Sequence, residues 1–219
     1  MHKVFPEVVG ADGPTPLADV FASEPGVGFS IVDRVGTIRF VNARAAELFL
    51  KSTPQKMLGK TLDELYGPAW AAERLAVFDR IILSDRPAIM RHIRNGVQLQ
   101  STIRHISEEG DDMPAFLVIT TEGEHAPADD AAFDIVESEL AHLGPLEALT
   151  RRELEVLALI GHGMSSPQVA AALYRSVRTI ERHCDAIRHK LNRTSRVDIA
   201  AFAIRAGLRV EDSDLKRVD

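Results

Sequence analysis

The feature that most constrains this 219-residue chain is a succession of helix start and stop signals crowded into residues 149–210. Thr150 with Glu153 and Ser165 with Gln168 have capping-box spacing. There the first side chain accepts from the amide three residues on, and the later side chain returns the bond. Ser195 with Asp198 repeats the spacing with a shorter acid, and Ser176, ahead of Val-Arg-Thr-Ile-Glu, marks a fourth start. Each cap contributes about 1 kcal/mol. Gly161 and Gly163 stop the first helix, Asn192 stops the long third one, and Gly207 follows the last. Four short helices with turns of a few residues make a compact helical domain, and the second helix, turn and third helix have the arrangement of a helix-turn-helix.

In the third helix, Ile180, Cys184, Ile187 and Leu191 fall at i, i+4, i+7 and i+11, a single stripe directed at the domain core. The opposite stripe carries Arg178, Arg182, Asp185 and His189, flanked by Glu181. Such a face suits base edges: arginine can fork onto the two major-groove acceptors of guanine, and a carboxylate can accept from the exocyclic amine of cytosine. Taken alone, a charged stripe is more often an ordinary solvated helix face.

Charge is distributed unevenly. The chain carries −6 overall, but residues 1–148 hold 13 basic against 23 acidic side chains, a net of −10. Residues 149–210 hold 11 against 5, a net of +6, and the last nine residues add −2. An acidic front with a basic back implies that only the back meets phosphate. The length suggests two domains. No apolar run approaches the roughly 18 residues of a membrane helix, and the opening Met-His-Lys-Val-Phe-Pro-Glu lacks the apolar core of a secretory signal. A cytoplasmic protein is expected. The single cysteine, Cys184, excludes an intramolecular disulfide and suits a reducing compartment.

The front half has a different periodicity. Residues 26–42 place β-branched and aromatic residues on both sides of Asp33-Arg-Val-Gly36, which predicts a hairpin. From Ala43 the pattern becomes helical, with Ala46, Leu48, Phe49 and Leu50 on one short face. After Gly59 a longer helix runs from Trp70 to Leu83, with Leu75, Phe78, Ile81 and Ile82 inward. Strand character returns at 87–94, turns at Asn95-Gly96, resumes at 97–107, breaks at Glu109-Gly110-Asp111-Asp112, and ends with Phe116 to Thr121.

This order of two strands, helices and three strands resembles the PAS family over residues 15–122. The resemblance rests on Gly28-Phe-Ser-Ile-Val-Asp33, the turn to Gly36, the strand-to-helix junction Val41-Asn42-Ala43, and a closing meander ending in Pro114 to Thr121. It implies a curved five-stranded antiparallel sheet cupping short helices, used for ligand sensing and dimerisation. Residues 123–148, punctuated by Pro127 and Gly144-Pro145, are expected to be a linker. Within it Phe133, Val136, Leu140 and Leu143 recur at helical spacing, predicting an amphipathic connecting helix. That helix could equally pack on its own sheet or pair across a dimer.

The C-terminal run resembles the LuxR-type (GerE-like) DNA-binding domain nearly end to end. Matching positions are Leu149, Thr150, Glu153, Val156 and Leu157; Gly163, Met164 and Ser165; Val169, Ala170 and Leu173; Ser176 to Ile180 and His183; Ile187, Lys190 and Leu191; and Ser195 with Arg196. The resemblance implies that Glu181, Arg182 and Asp185 read bases, while Ser165, Arg178, Thr179, Lys190, Ser195 and Arg196 approach the phosphate backbone. Ser176, the cap of the reading helix, is counted with them. Two acids at base-facing positions imply a recognised sequence different from that of many members. Val197, Ala200, Ala201 and Ile204 on the last helix resemble the family's dimer face. The expected fold is α+β: an N-terminal PAS domain, and a C-terminal all-α four-helix domain at 149–210.

The reading that follows is a sequence-specific transcription regulator. Its partners would be double-stranded DNA and a second copy of itself, on half-sites roughly 10 base pairs apart. No membrane is implied. The PAS domain leaves room for a small-molecule ligand, while no cofactor is specified by the sequence. Gly161-His-Gly163 lacks the Lys-Ser/Thr of a phosphate loop, and the eight histidines form no metal-ligand pattern. His92 and His105 lie on predicted strands and are assigned structural roles ahead of haem ligation. The front half lacks the strand-helix alternation of a phosphorylated receiver and any cysteine for a covalent flavin. No nucleophile elbow or paired carboxylates point to an enzyme. The competing class is a PAS-based protein-interaction module with little specific DNA binding.

Overall fold

The computed structural model describes residues 7–10, 13–16, 20, 24–106, 114–123 and 132–218. The chain divides into two compact units, one of residues 1–90, 100–121 and 126–137, the other of residues 91–99, 122–125 and 138–219. Strands β1 (Glu7–Gly10) and β2 (Gly13–Pro16) pair antiparallel as a separate hairpin.

In the first unit, β3 (Gly28–Asp33) and β4 (Ile38–Val41) form the hairpin predicted around Asp33-Arg-Val-Gly36. The Asp33 carboxylate closes this turn by accepting from the amides of Val35 (3.1 Å) and Thr37 (2.8 Å). Asn42 then converts strand into helix α1 (Ala43–Leu50). Its Oδ1 accepts from Ala45 N at 2.8 Å as an N-cap and from Phe29 N at 3.0 Å on the neighbouring strand. Helices α2 (Leu62–Tyr66) and α3 (Pro68–Ser84) follow. The α3 side chains Trp70, Val77, Phe78 and Ile81 are buried, and Phe78 stacks on Phe116 at a centroid distance of 4.1 Å.

The meander β5 (Ala88–Arg94), β6 (Val97–Ile106) and β7 (Ala115–Glu122) completes the five predicted strands, with β7 antiparallel to β3. The break predicted at Glu109-Gly110-Asp111-Asp112 lies outside the described residues. The sheet has seven strands rather than five, in the order β4-β3-β7-β6-β5-β8-β9. The sixth is β8 (Asp134–Ala141), where a connecting helix was expected. Its burial alternates, with Ser138 and Leu140 covered and Ile135, Glu137 and Glu139 exposed. The pairing fits a half-covered strand, and β-branched Ile135-Val136 favours it. Phe133, Val136, Leu140 and Leu143 match helical spacing, but a free edge beside β5 outweighs that weak pattern. Pro127 of the expected linker lies outside the described residues. The seventh strand, β9 (Lys216–Arg217), runs parallel to β8, with Leu140 opposite Lys216.

The second unit contains helices α4 (Arg151–Gly161), α5 (Ser166–Ala172), α6 (Val177–Lys190) and α7 (Arg196–Ala206). They begin at the predicted caps Thr150, Ser165, Ser176 and Ser195. Leu154, Leu157, Ile160, Val169, Ile180, Ile187 and Ile199 share one core. That core also takes in Ile93 and Leu208, and Val210 and Leu215 pack against it. The packed unit therefore reaches beyond residues 149–210.

At the β5–β6 turn, Asn95 and Gly96 both have positive φ (54° and 73°), as a tight primed hairpin turn requires. The Gly96 amide donates to His142 O at 3.1 Å, and a Cβ on Gly96 would lie 2.6 Å from Leu143 O. Gly59 also has positive φ (78°) but nothing within 4 Å of its Cβ position. Gly59→Ala should cost only the conformational penalty of about 1–2 kcal/mol. Gly96→Ala should cost clearly more, because backbone must also move. Urea unfolding of the two variants checks the order.

Candidate nucleic-acid interface

The candidate interface is built on α6, and the core decides which side of it is outward. Ile180 and Ile187 are fully buried and Cys184 is 6% exposed. Burial pushes the Cys184 thiol up from its ordinary value, so it stays protonated and acts as a packing group. With that stripe seated, helical geometry directs Arg178, Glu181, Arg182, Asp185 and His189 to the opposite side, and all five are exposed.

The N-terminus of α6 is organised by Ser176, whose Oγ accepts from Thr179 N at 3.1 Å and pairs with Thr179 Oγ1 at 2.8 Å. Arg178 lies in the same first turn. Arg178 and Arg182 make no ion pair among the described residues, leaving both guanidinium groups available to an acceptor. Asp185 is ion-paired with Arg188 one turn on, so its carboxylate must exchange that partner before accepting from a base. The i,i+3 spacing of Asp185 and Arg188 was visible in the sequence but carries this consequence only once both side chains share a face.

Two further helix starts carry expected phosphate contacts. Ser165 caps α5, its amide donating to Gln168 Oε1 at 2.8 Å. Ser195 caps α7, with its Oγ accepting from Asp198 N at 3.1 Å and its amide donating to Asp198 Oδ2 at 2.9 Å. Hydrogen bonds from Thr194 and Ser195 hold the Asp198 carboxyl below its ordinary value. Arg196 donates to Ser166 Oγ, which brings the starts of α5 and α7 together. Ser165, Ser195 and Arg196 therefore stand as one group, and Ser176, Arg178 and Thr179 as another.

Lys190 belongs to neither group. Its Nζ lies 2.7 Å from Glu153 Oε2, and the same oxygen accepts from Thr150 N (2.7 Å) and Thr150 Oγ1 (2.9 Å). The capping box of α4 thus doubles as the anchor for the end of α6, a tertiary use of Glu153 that its local spacing does not reveal. The Lys190 side chain is about one-third exposed and Glu153 is 7% exposed. Among the described residues no group of three His, Cys, Asp or Glu side chains is placed to hold a metal ion. His92 is buried, and His105 is exposed with its ring 5.7 Å from that of Phe116.

Residues 147–203 match the model for bacterial regulatory proteins of the luxR family. This segment is a LuxR-family domain. The chain is 38% identical over 64 residues to the oxygen regulatory protein NreC of Staphylococcus carnosus, covering 29% of this chain and 30% of that protein. It is 36% identical over 74 residues to the transcriptional regulatory protein LiaR of Bacillus subtilis, covering 32% and 35%. The match to these relatives thus spans about a third of their length. Among solved structures, a VqmA–ligand–DNA complex of Vibrio cholerae aligns over 87% of this chain and 88% of its own, at 17% identity and a TM-score of 0.48. The PAS domain of the RpfR receptor of Cronobacter turicensis aligns over 46% and 96%, at 19% identity and a TM-score of 0.35. No helix among the described residues is long and apolar enough to cross a membrane.

The shared Glu153 carboxylate has a pH signature. Burial pushes its pKa up, but the bonds from Lys190 and Thr150 outweigh this and hold it below the ordinary 4.5. A lowered folded-state value means the stabilisation is fully present above the unfolded value and is lost as pH falls through the folded one. Glu153→Gln should destabilise the protein by about 2 kcal/mol at pH 7. Its difference from the parent should shrink progressively below pH 4.5, measured by chemical unfolding as a function of pH.

Proposed function

We propose that this protein is a sequence-specific transcription regulator that binds double-stranded DNA as a homodimer, with the N-terminal unit acting as a PAS-type sensory domain. The observation that carries the reading is the exposed Arg178, Glu181, Arg182 face of α6, set opposite a fully buried stripe inside a LuxR-family domain. In the major groove, Arg182 would fork onto guanine, while Glu181 and a released Asp185 would accept from cytosine amines. Arg178, Thr179 and Ser176 at one helix start, and Ser165, Ser195 and Arg196 at the others, would meet phosphate through their side chains. Lys190 would contribute through the ammonium protons that Glu153 does not use.

The outer side of α7 supports dimerisation. Val197 and Ile204 are 76% and 64% exposed, and Ala201 between them is exposed as well. Small and β-branched residues on one stripe let two helices approach closely, and a two-fold pair would present two reading helices to half-sites about one DNA turn apart. Action would be by binding rather than catalysis, in the cytoplasm where bacterial DNA is accessible. A small molecule held in the N-terminal unit would be its signal.

Selection of the full-length protein from a random duplex library near physiological salt should recover a roughly two-fold symmetric motif. Arg182→Ala should weaken binding by about 1–3 kcal/mol and relax preference at particular positions of each half-site. Recovery of no motif, with only weak salt-sensitive binding, would instead favour a protein-interaction module.

A further inference from the structure

The residues that follow the LuxR-family match are not a loose tail. Ala206, the last residue of α7, and Leu208 beyond it are buried, Gly207 turns the chain, and a 3-10 turn (Val210–Asp214) follows. Asp212 in that turn is only 6% exposed. Both of its carboxylate oxygens accept from Arg91, Nη1 to Oδ1 at 2.8 Å and Nη2 to Oδ2 at 2.7 Å. Arg91 is itself 6% exposed and also donates to Gln98 Oε1 at 3.1 Å. Asp212 Oδ2 additionally accepts from Arg209 N at 2.7 Å, and a Cβ on Gly207 would lie 3.4 Å from the Gln98 side chain.

A bidentate pair this deeply covered is costly to leave half-made, because one partner without the other is an uncompensated buried charge. It therefore has one well-defined arrangement, and that arrangement fixes where α7 ends. The other end of α7 is fixed by the Ser195–Asp198 box and by the bond from Arg196 to Ser166. Between the two anchors lies the exposed Val197, Ala201, Ile204 stripe. Arg91 and Gln98 lie in residues 91–99 of β5 and β6, which belong to the same compact unit as α7.

We propose that Arg91 and Asp212 are positioning residues for the dimer helix. They hold the C-terminal end of α7 against residues 91–98 of its own unit, and so set the separation of the two reading helices in a DNA-bound dimer. The proposal rests on the dimeric regulator reading and adds the residues that control its geometry. Two linked half-sites gain affinity only if both can be engaged at once. Loss of the pair should therefore weaken the two-site complex while leaving each reading helix intact.

The test uses full-length Asp212→Asn and the double variant Arg91→Gln/Asp212→Asn, which removes both charges and leaves no orphan should the single variant fail to fold. Binding is measured to duplexes carrying the selected motif as one half-site or as two. Two-site affinity should fall roughly tenfold or more, with half-site affinity within about twofold of the parent. Amide hydrogen exchange should accelerate in residues 203–212 and stay unchanged in α6. Equal losses on both duplexes, or no loss on either, in a folded double variant would overturn the proposal. If the parent itself selects no motif, the regulator reading fails separately. The positional claim is then decided by exchange alone: unchanged protection at 203–212 in the double variant would overturn it.

Discussion

The seating of Ile180, Cys184 and Ile187 in the helical core is the constraint on which the candidate interface depends. Each fully buried aliphatic side chain of this kind contributes about 1.5–3 kcal/mol. Rotating α6 far enough to turn its charged face inward would forfeit most of that and bury unpaired guanidinium groups. One orientation is thus overwhelmingly favoured. The outward presentation of Arg178 and Arg182 follows from the apolar stripe rather than from any contact of their own. On the proposed reading, recognition and folding stability would be carried by opposite sides of one helix, so substitutions on the outward side would change recognition while the fold is spared.

What was legible in the sequence was local. The four caps at Thr150, Ser165, Ser176 and Ser195 stand where the sequence placed them, because an N-cap bond joins residues three apart and needs no tertiary partner. The Asn95-Gly96 turn and the Asn42 junction were legible for the same reason. The strand at Asp134–Ala141 was not, since its identity is decided by an edge of β5 some forty residues earlier in the chain. Nor could spacing reveal that Asp212 pairs with Arg91 across 121 positions, or that Lys190 is bonded to Glu153. At the interface, the face of α6 was readable from its period, while the internal engagements of Asp185 and Lys190 were not.

Those internal engagements change the electrostatic picture. Residues 149–210 carry +6, yet much of the positive charge is already spoken for. Arg151 pairs with Asp214 at 2.7 Å, Arg152 with Glu155, Arg188 with Asp185, and Lys190 with Glu153. Exposed pairs of this kind contribute little to stability, with a typical worth of about 0–1 kcal/mol. Their larger effect is to confine strong uncompensated charge to a few places, among them the first two turns of α6. A small number of well-placed guanidinium groups favours recognition of base edges over broad attraction to phosphate, whose affinity scales with the number of phosphates neutralised. The acidic residues on the reading face act in the same direction. On the proposed reading, Glu181 and a released Asp185 would repel phosphate and would be desolvated without return at a wrong base, adding discrimination by penalising mismatches as well as by accepting from cytosine. In the proposed complex, an acidic chain with few cations free of ion pairs among the described residues of α6 would be organised for selectivity more than for raw affinity, and a precisely held pair of reading helices, rather than charge, would be the main source of tight binding.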